Sequence, residues 1–140
     1  MNKRLIIAAG LLLMKTSCPA QLYIGVTDNA IFDYFPKADV KKIKLKATSD
    51  SIGVLVMADD MKGIFWYDIH RQMVVGYQIN PIDKALYTQL ETGLNKGCLI
   101  VKPEQEWSCK KNDYLIKVTK KPTDGPNNTV VDIFHYELVK

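Results

Sequence analysis

Arginine is almost missing from this chain: among 19 lysines and arginines only Arg4 and Arg71 are arginines, and the histidines are just His70 and His135. Arginine is the side chain best shaped for bidentate contact with phosphate or guanine, so a nucleic-acid partner is not expected. Also missing is an apolar run of the roughly 20 residues that cross a bilayer as a helix. No Gly-x-Ser-x-Gly elbow, His-Glu-x-x-His helix, P-loop or Gly-rich dinucleotide turn occurs, which removes the familiar signatures of hydrolase nucleophiles, zinc proteases and nucleotide sites. What is there, 140 residues with 47% hydrophobic and 24% charged side chains, is the composition of one folded domain.

The first twenty residues differ from the rest. Lys3 and Arg4 form a short basic region and Leu5 to Met14 an apolar run of ten, the pattern of a secretory signal peptide. Cys18 and Ala20 supply the small side chains a signal peptidase needs, which sets cleavage between Ala20 and Gln21. The expected organisation is a signal peptide over 1–20 and a single domain over 21–140, in a secreted or periplasmic protein with no transmembrane span in the mature chain. Thr16 and Ser17 before Cys18 also resemble the lipoprotein cleavage motif, but Lys15 stands where that motif has an apolar residue. Lipid anchoring through Cys18 is therefore the disfavoured alternative. Removal of Lys3, Arg4 and Lys15 takes three bases and no acid from 19 against 15, so the formal charge falls from +4 to +1. The basic excess belongs to export, and phosphate binding loses its main support.

Cys98 and Cys109 remain, and an oxidising compartment favours their pairing. A strand from Cys98 to Val101, a turn at Lys102-Pro103-Glu104-Gln105 and a returning strand from Glu106 to Cys109 place the two cysteines opposite each other. The disulfide closes a loop of about a dozen residues, worth roughly 3 kcal/mol in the chain-entropy account.

Along the mature chain, Thr27 reads as the N-cap of a short helix, Asp28 to Phe35, ended by Pro36. Lys42, Lys44 and Lys46 alternate with Ile43, Leu45 and Ala47, a half-buried strand with its lysines toward water. Ser51 to Ala58 is a strand and Asp59 to Gly63 a turn. Ile64 to Ile69 and Met73 to Ile79 form a hairpin about His70-Arg71-Gln72. Asn80-Pro81 starts a second helix that runs to about Asn95, with Leu86, Leu90 and Leu94 on one stripe and Gly97 as a left-handed exit. Tyr114 to Lys120 and Thr129 to Val139 are further strands, joined by a loop over Pro122 to Asn128. Trp66 and Trp107 precede similar apolar segments and prolines at the same intervals, which reads as recurrent hairpin grammar and not as a repeat. The expected fold is α+β: an antiparallel sheet of about seven to eight strands in meanders, with two helices packed on one face.

Gly25-Val26-Thr27, followed by Ile31 and Phe35 at four-residue steps, resembles the Gly-Met-Thr-x-x-x-Val-x-x-x-Leu opening of the SmpA/OmlA and beta-lactamase-inhibitor-like (BLIP-like) envelope domains. The resemblance covers about eleven residues. It implies a capped helix lying on an antiparallel sheet, and a domain that binds proteins and does no chemistry.

Among candidate functional residues, Asp59-Asp60 and the Asp124, Asn127, Asn128 loop lack the alternating spacing of a calcium loop and read as turn formers. No metal and no cofactor is expected. Phe65, Trp66 and Tyr67 are consecutive, so on a strand both faces carry an aromatic. With Tyr77 and Trp107 they are the candidate binding face, since tryptophan and tyrosine anchor interfaces; the favoured alternative is that Trp66 and Trp107 are core and Phe65 and Tyr67 lie beneath the helices or a sheet edge. The expected function is a non-enzymatic secreted or periplasmic module that binds another protein or an envelope component. The alternatives are a small secreted hydrolase using His70 or His135, and a lipid-anchored structural envelope protein.

Overall fold

The computed structural model describes residues 22–44 and 51–139. The signal peptide, Cys18, the Ala20–Gln21 junction and the Lys46–Ala47 end of the alternating segment lie outside the described residues.

The elements run α1 (Asp28–Tyr34), β1 (Asp39–Lys44), β2 (Ser51–Met57), β3 (Met61–Asp68), β4 (Met73–Pro81), α2 (Lys84–Gly97), β5 (Leu99–Lys102), β6 (Glu106–Lys111), β7 (Tyr114–Asp124) and β8 (Val130–Leu138), with a 3-10 turn at Pro126–Asn128. All eight strands make one antiparallel sheet in the order β1-β2-β3-β4-β8-β7-β6-β5. The chain therefore builds a helix followed by a four-strand meander, does so again, and joins the two meanders through their last strands. The Trp66 and Trp107 echo matches β3–β4 to β6–β7, which hold different places in the two meanders. It is hairpin grammar, and the architectural repeat lies elsewhere.

Local chemistry accounts for the elements. Thr27 Oγ1 accepts from Ala30 N at 3.3 Å and caps α1. Asp68 Oδ1 accepts from the amides of His70 and Arg71, which turns β3 back into β4. Cys98 and Cys109 are disulfide-bonded, and the adjoining pairs Leu99–Ser108 and Ile100–Trp107 keep the register that the cysteines require.

Several boundaries differ from the sequence reading. Met61 to Gly63 belong to β3, because Asp59-Asp60 alone makes the turn, with Ala58 N bonded to Met61 O at 2.9 Å. Asn80 and Pro81 do not begin the second helix: they pair with Lys62 and Met61 as the end of β4. Asp83 is the cap, its carboxylate accepting from Ala85 N at 2.8 Å. Gly97 gives no left-handed exit, since Cys98 follows in an extended conformation with its amide bonded to Leu94 O. Strand β7 continues through Pro122 to Asp124, because its β6 partner stops at Glu106–Thr119 and proline is tolerated along an unpaired side. The alternation in β1 also falls the other way for Lys42. It lies opposite the buried Val54, and its ammonium reaches Asp28 at 2.8 Å and Asn29 at 3.1 Å on α1.

One buried cluster holds the molecule together. Ile31 of α1 and Leu94 of α2 share it with Val54, Phe65, Tyr77, Trp107, Phe134 and Tyr136. The Tyr77 and Tyr136 rings stack at 4.2 Å where β4 meets β8, so the join between the meanders is itself core. Segment 22–26 is fastened across this core: Gly25 N bonds Val74 O, Val74 N bonds Val26 O, and the Lys111 ammonium holds the carbonyls of Leu22 and Ile24. Gly25 is required here, because φ is +88° and a Cβ would stand 2.8 Å from the Tyr114 ring.

Candidate functional site

Adjacent strand residues point to opposite faces, and the burial pattern divides the aromatic candidates accordingly. Phe65, Tyr77 and Trp107 have no exposed surface. They are core, and a binding role for them is incompatible with that burial. Phe65 packs against Tyr23, Phe35 and Tyr77, while the Trp107 indole donates to Asn95 Oδ1 at 2.8 Å. Trp66 is half-buried on the other face of the sheet, and Tyr67 is half-buried beside the β4 bulge. The sequence required Trp66 to oppose its neighbours but carried no sign of which face was inside.

Around Trp66 the strands form two rows across the sheet. One row runs Gly53, Trp66, Gly76, Glu137, Lys117, Ser108. The indole thus stands between two glycines, and a Cβ on Gly76 would lie 3.5 Å from its Cε3 atom. The next row runs Leu55, Ile64, Gln78, His135, Thr119, Glu106. Both rows change character along their length: the first turns charged at Glu137 on β8, and the second turns polar at Gln78 on β4.

His135 sits at that change. Its Nδ1 meets Gln78 Nε2 at 3.1 Å; an amide nitrogen can only donate, so Nδ1 accepts and the neutral ring carries its proton on Nε2. Nε2 lies 3.7 Å from Glu137 Oε2, and the ring meets Trp66 edge-on at 5.9 Å. Two open depressions adjoin this residue pair. One, of about 250 Å³, is lined by Gln78, Lys121, Pro122, Thr123, Ile133 and His135. The other, of about 230 Å³, is lined mainly by Leu55, Met57, Ile64 and Ile133. Gln78 and Ile133 border both, so the two form one continuous patch. His70, the other histidine, is in the β3–β4 turn, remote in register from this patch.

The Gln78–His135 contact joins residues on strands from different meanders, and no local sequence signal foretells it. Ile133 was hidden for the same reason. A more available signal was the glycine on each strand flanking Trp66, although its meaning depends on the register.

A second polar group lies on the opposite side of the sheet. Lys120 donates to Tyr87 Oη at 2.8 Å and Glu91 Oε2 at 2.7 Å, and Tyr87 donates to Asp132 at 2.9 Å. Burial works against the charge on Lys120, but the bonds to Glu91 and Tyr87 outweigh it and raise its pKa. This cluster fastens α2 to β7 and β8. Among the described residues no three His, Cys, Asp or Glu side chains gather as a metal-binding group, and no helix is long and apolar enough to cross a membrane. No protein-family model, curated protein or solved structure matches the chain.

Proposed function

We propose that this is a non-enzymatic, secreted or periplasmic module that binds another protein through the sheet face bearing Trp66. In this reading both helices cover the other face, where Tyr87 touches Phe134 and Phe35 touches Phe65. The observation that carries the proposal is the continuous patch of Trp66, Leu55, Ile64, Ile133, Gln78 and His135. It combines a large amphipathic ring, aliphatic surface and a few fixed polar groups, the composition of an interface anchor with its polar surround. The resemblance of the Gly25-to-Phe35 segment to SmpA/OmlA and BLIP-like domains supports the same class. Export rests on the basic and apolar segments before Ala20, and the disulfide fits that compartment.

The test is cross-linking in intact cells with mass spectrometry of the captured proteins, comparing the natural chain with Trp66→Ala. Loss of a specific partner in the variant, with at least about tenfold weaker binding of that partner in isolation, is the expected result. An unchanged set of partners refutes the proposed face.

A second reading, a small hydrolase, is favoured by His135 alone, whose oriented ring borders a depression beside Glu137. The bond from Gln78 fixes the orientation of the ring and turns Nε2 toward Glu137. The protein-binding reading accounts for the whole patch and the hydrolase reading for one corner of it.

A further inference from the structure

The two edges of the sheet are unlike. Strand β1 presents Asp39, Lys41 and Lys42 along its length, and charge of this kind blocks pairing with another strand. Strand β5, at the other end of the order, reads Leu-Ile-Val-Lys, and all four residues are exposed. Leu99 is 71% exposed, Ile100 45% and Val101 49%. Lys102, Pro103 and the register irregularity between Ile100 and Lys102 close the far end of this edge, and the uncovered apolar stretch of Leu99 and Ile100 before them is a template for one more strand.

The register fixes which backbone groups that strand would meet. Antiparallel partners alternate between pairs that exchange hydrogen bonds, with Cα atoms about 5.5 Å apart, and pairs that do not, about 4.5 Å apart. Cys98 and Cys109 are 4.6 Å apart, a non-bonded pair. Leu99–Ser108 is then the bonded pair, and Ile100–Trp107 is again non-bonded. The N–H and C=O of Ile100 therefore point away from β6. On either side the edge is already engaged, since Cys98 N bonds Leu94 O at 3.0 Å and Lys102 O accepts from Gln105 N at 3.0 Å.

We propose that β5 is a self-association edge: two copies of this chain pair antiparallel through Leu99–Lys102, with the two Ile100 residues opposite each other on a twofold axis. Each Ile100 donates to and accepts from the other, which satisfies the outward pair on both copies. Leu99 of each copy lies opposite Val101 of the second, and Lys102 lies opposite Cys98, so no like charges face each other across the paired strands. Antiparallel pairing also sets the start of each β5, which follows Lys96 of α2, beside the end of the other, which precedes Glu104, so residues of opposite charge flank the paired strands at each end. The disulfide holds β5 in its extended form before it meets a partner, which lowers the ordering cost of association. Closure follows from the difference between the edges. After pairing, both ends of the joined sheet are lysine-bearing β1 strands, so the assembly stops at a dimer and does not grow into a filament. A single short strand pair buries little surface, and the dimer is accordingly weak and concentration-dependent. Because this edge and the Trp66 face use different residues, either can fail without the other.

Sedimentation equilibrium of the oxidised chain over a range of concentrations tests the proposal. A monomer–dimer equilibrium is expected, weakened at least about tenfold in Ile100→Lys, where two ammonium groups would meet at the axis. Val130→Lys, at a position 70% exposed on a strand away from this edge, is expected to leave the equilibrium unchanged. Carbodiimide coupling of mixed isotopically light and heavy natural chain reads the register without any variant, through a Lys96–Glu104 link between copies. A chain that is monomeric at every concentration overturns the proposal, as does a dimer insensitive to Ile100→Lys that yields no such link. Protection of the Ile100 amide only on addition of a different protein would assign the edge to a foreign strand and overturn self-pairing too.

Discussion

The two meanders have the same order of elements but differ in what holds their helices to the core. In the first, α1 has seven residues and buries only Ile31, so it cannot cover its half of the sheet. The extended segment 22–26 fills the remainder: Tyr23 alone contacts Tyr34, Phe35, Phe65 and Tyr77, with ring centroids 5.2 to 5.5 Å away. In the second, α2 has fourteen residues and lays Leu86, Tyr87, Leu90 and Leu94 against the core. There the additional hold is covalent and polar, from the disulfide, the Trp107–Asn95 bond and the Lys120–Glu91 pair. One topology needs a given apolar area covered and leaves open which elements cover it.

The largest expected effects test whether that division is energetic as well as architectural. Phe65→Ala and Trp107→Ala each remove a fully buried aromatic, and each is expected to cost about 3–5 kcal/mol in urea unfolding. Hydrogen exchange separates them. Phe65→Ala removes the ring that Tyr23 and Phe35 pack on, so the amides of residues 22–26 lose protection first. Trp107→Ala loosens β5 and β6 and reaches segment 22–26 only through the Lys111 bonds to Leu22 and Ile24, while the Gly25–Val74 and Val74–Val26 bonds stay in place. Loss of protection at the same residues in both variants would mean that the halves share one unit of stability.

The disulfide offers a smaller and purely second-meander perturbation. With eleven residues of sequence separation, the bond restricts the unfolded chain by about 3 kcal/mol. Reduction of the natural chain and the double variant Cys98→Ala, Cys109→Ala should both lower stability by about that amount, and reductant should not affect the variant further. Equal stability of oxidised chain and variant would remove the covalent part of the contrast.

How much of this could be read beforehand differed with the range of the interaction. The Thr27 cap and the cysteine register are decided by residues close in sequence, and they were legible. Asn80-Pro81 misled because it is a sound helix start on local grounds, while its actual conformation is imposed by pairing with Lys62 and Met61. Lys42 misled for a related reason: at the rim of a sheet a lysine can stand opposite buried Val54 and still carry its ammonium out to α1. The candidate site depended on β4 lying beside β8, a pairing between the two meanders that no turn or spacing encodes. The sequence therefore names Trp66 as a candidate but does not assemble Gln78, Ile133 and His135 around it.

Alkaline titration gives the finest test of the contrast, because burial raises the pKa of the tyrosines that cover the first meander and stack at the join. Burial, reinforced by the nearby Tyr34, pushes the Tyr23 pKa from 10.0 up to about 12. Burial first, and neighbouring tyrosines second, raises Tyr77 and Tyr136 as well. A folded pKa above the unfolded value means that the native state holds its proton longer. The stabilisation is complete below about pH 10 and is lost as pH rises from there through the folded values. For Tyr23 the difference amounts to roughly 2 to 3 kcal/mol by pH 12. Tyr23→Phe should show a shallower loss of stability above pH 10, followed by urea unfolding and tyrosinate absorbance, after correction for any difference at neutral pH. The double variant Cys98→Ala, Cys109→Ala should lower the whole profile without changing its alkaline slope, because neither the bonded cysteines nor alanine releases a proton. A slope unchanged by Tyr23→Phe and altered by the double cysteine variant would reverse the assignment of the pH-sensitive half.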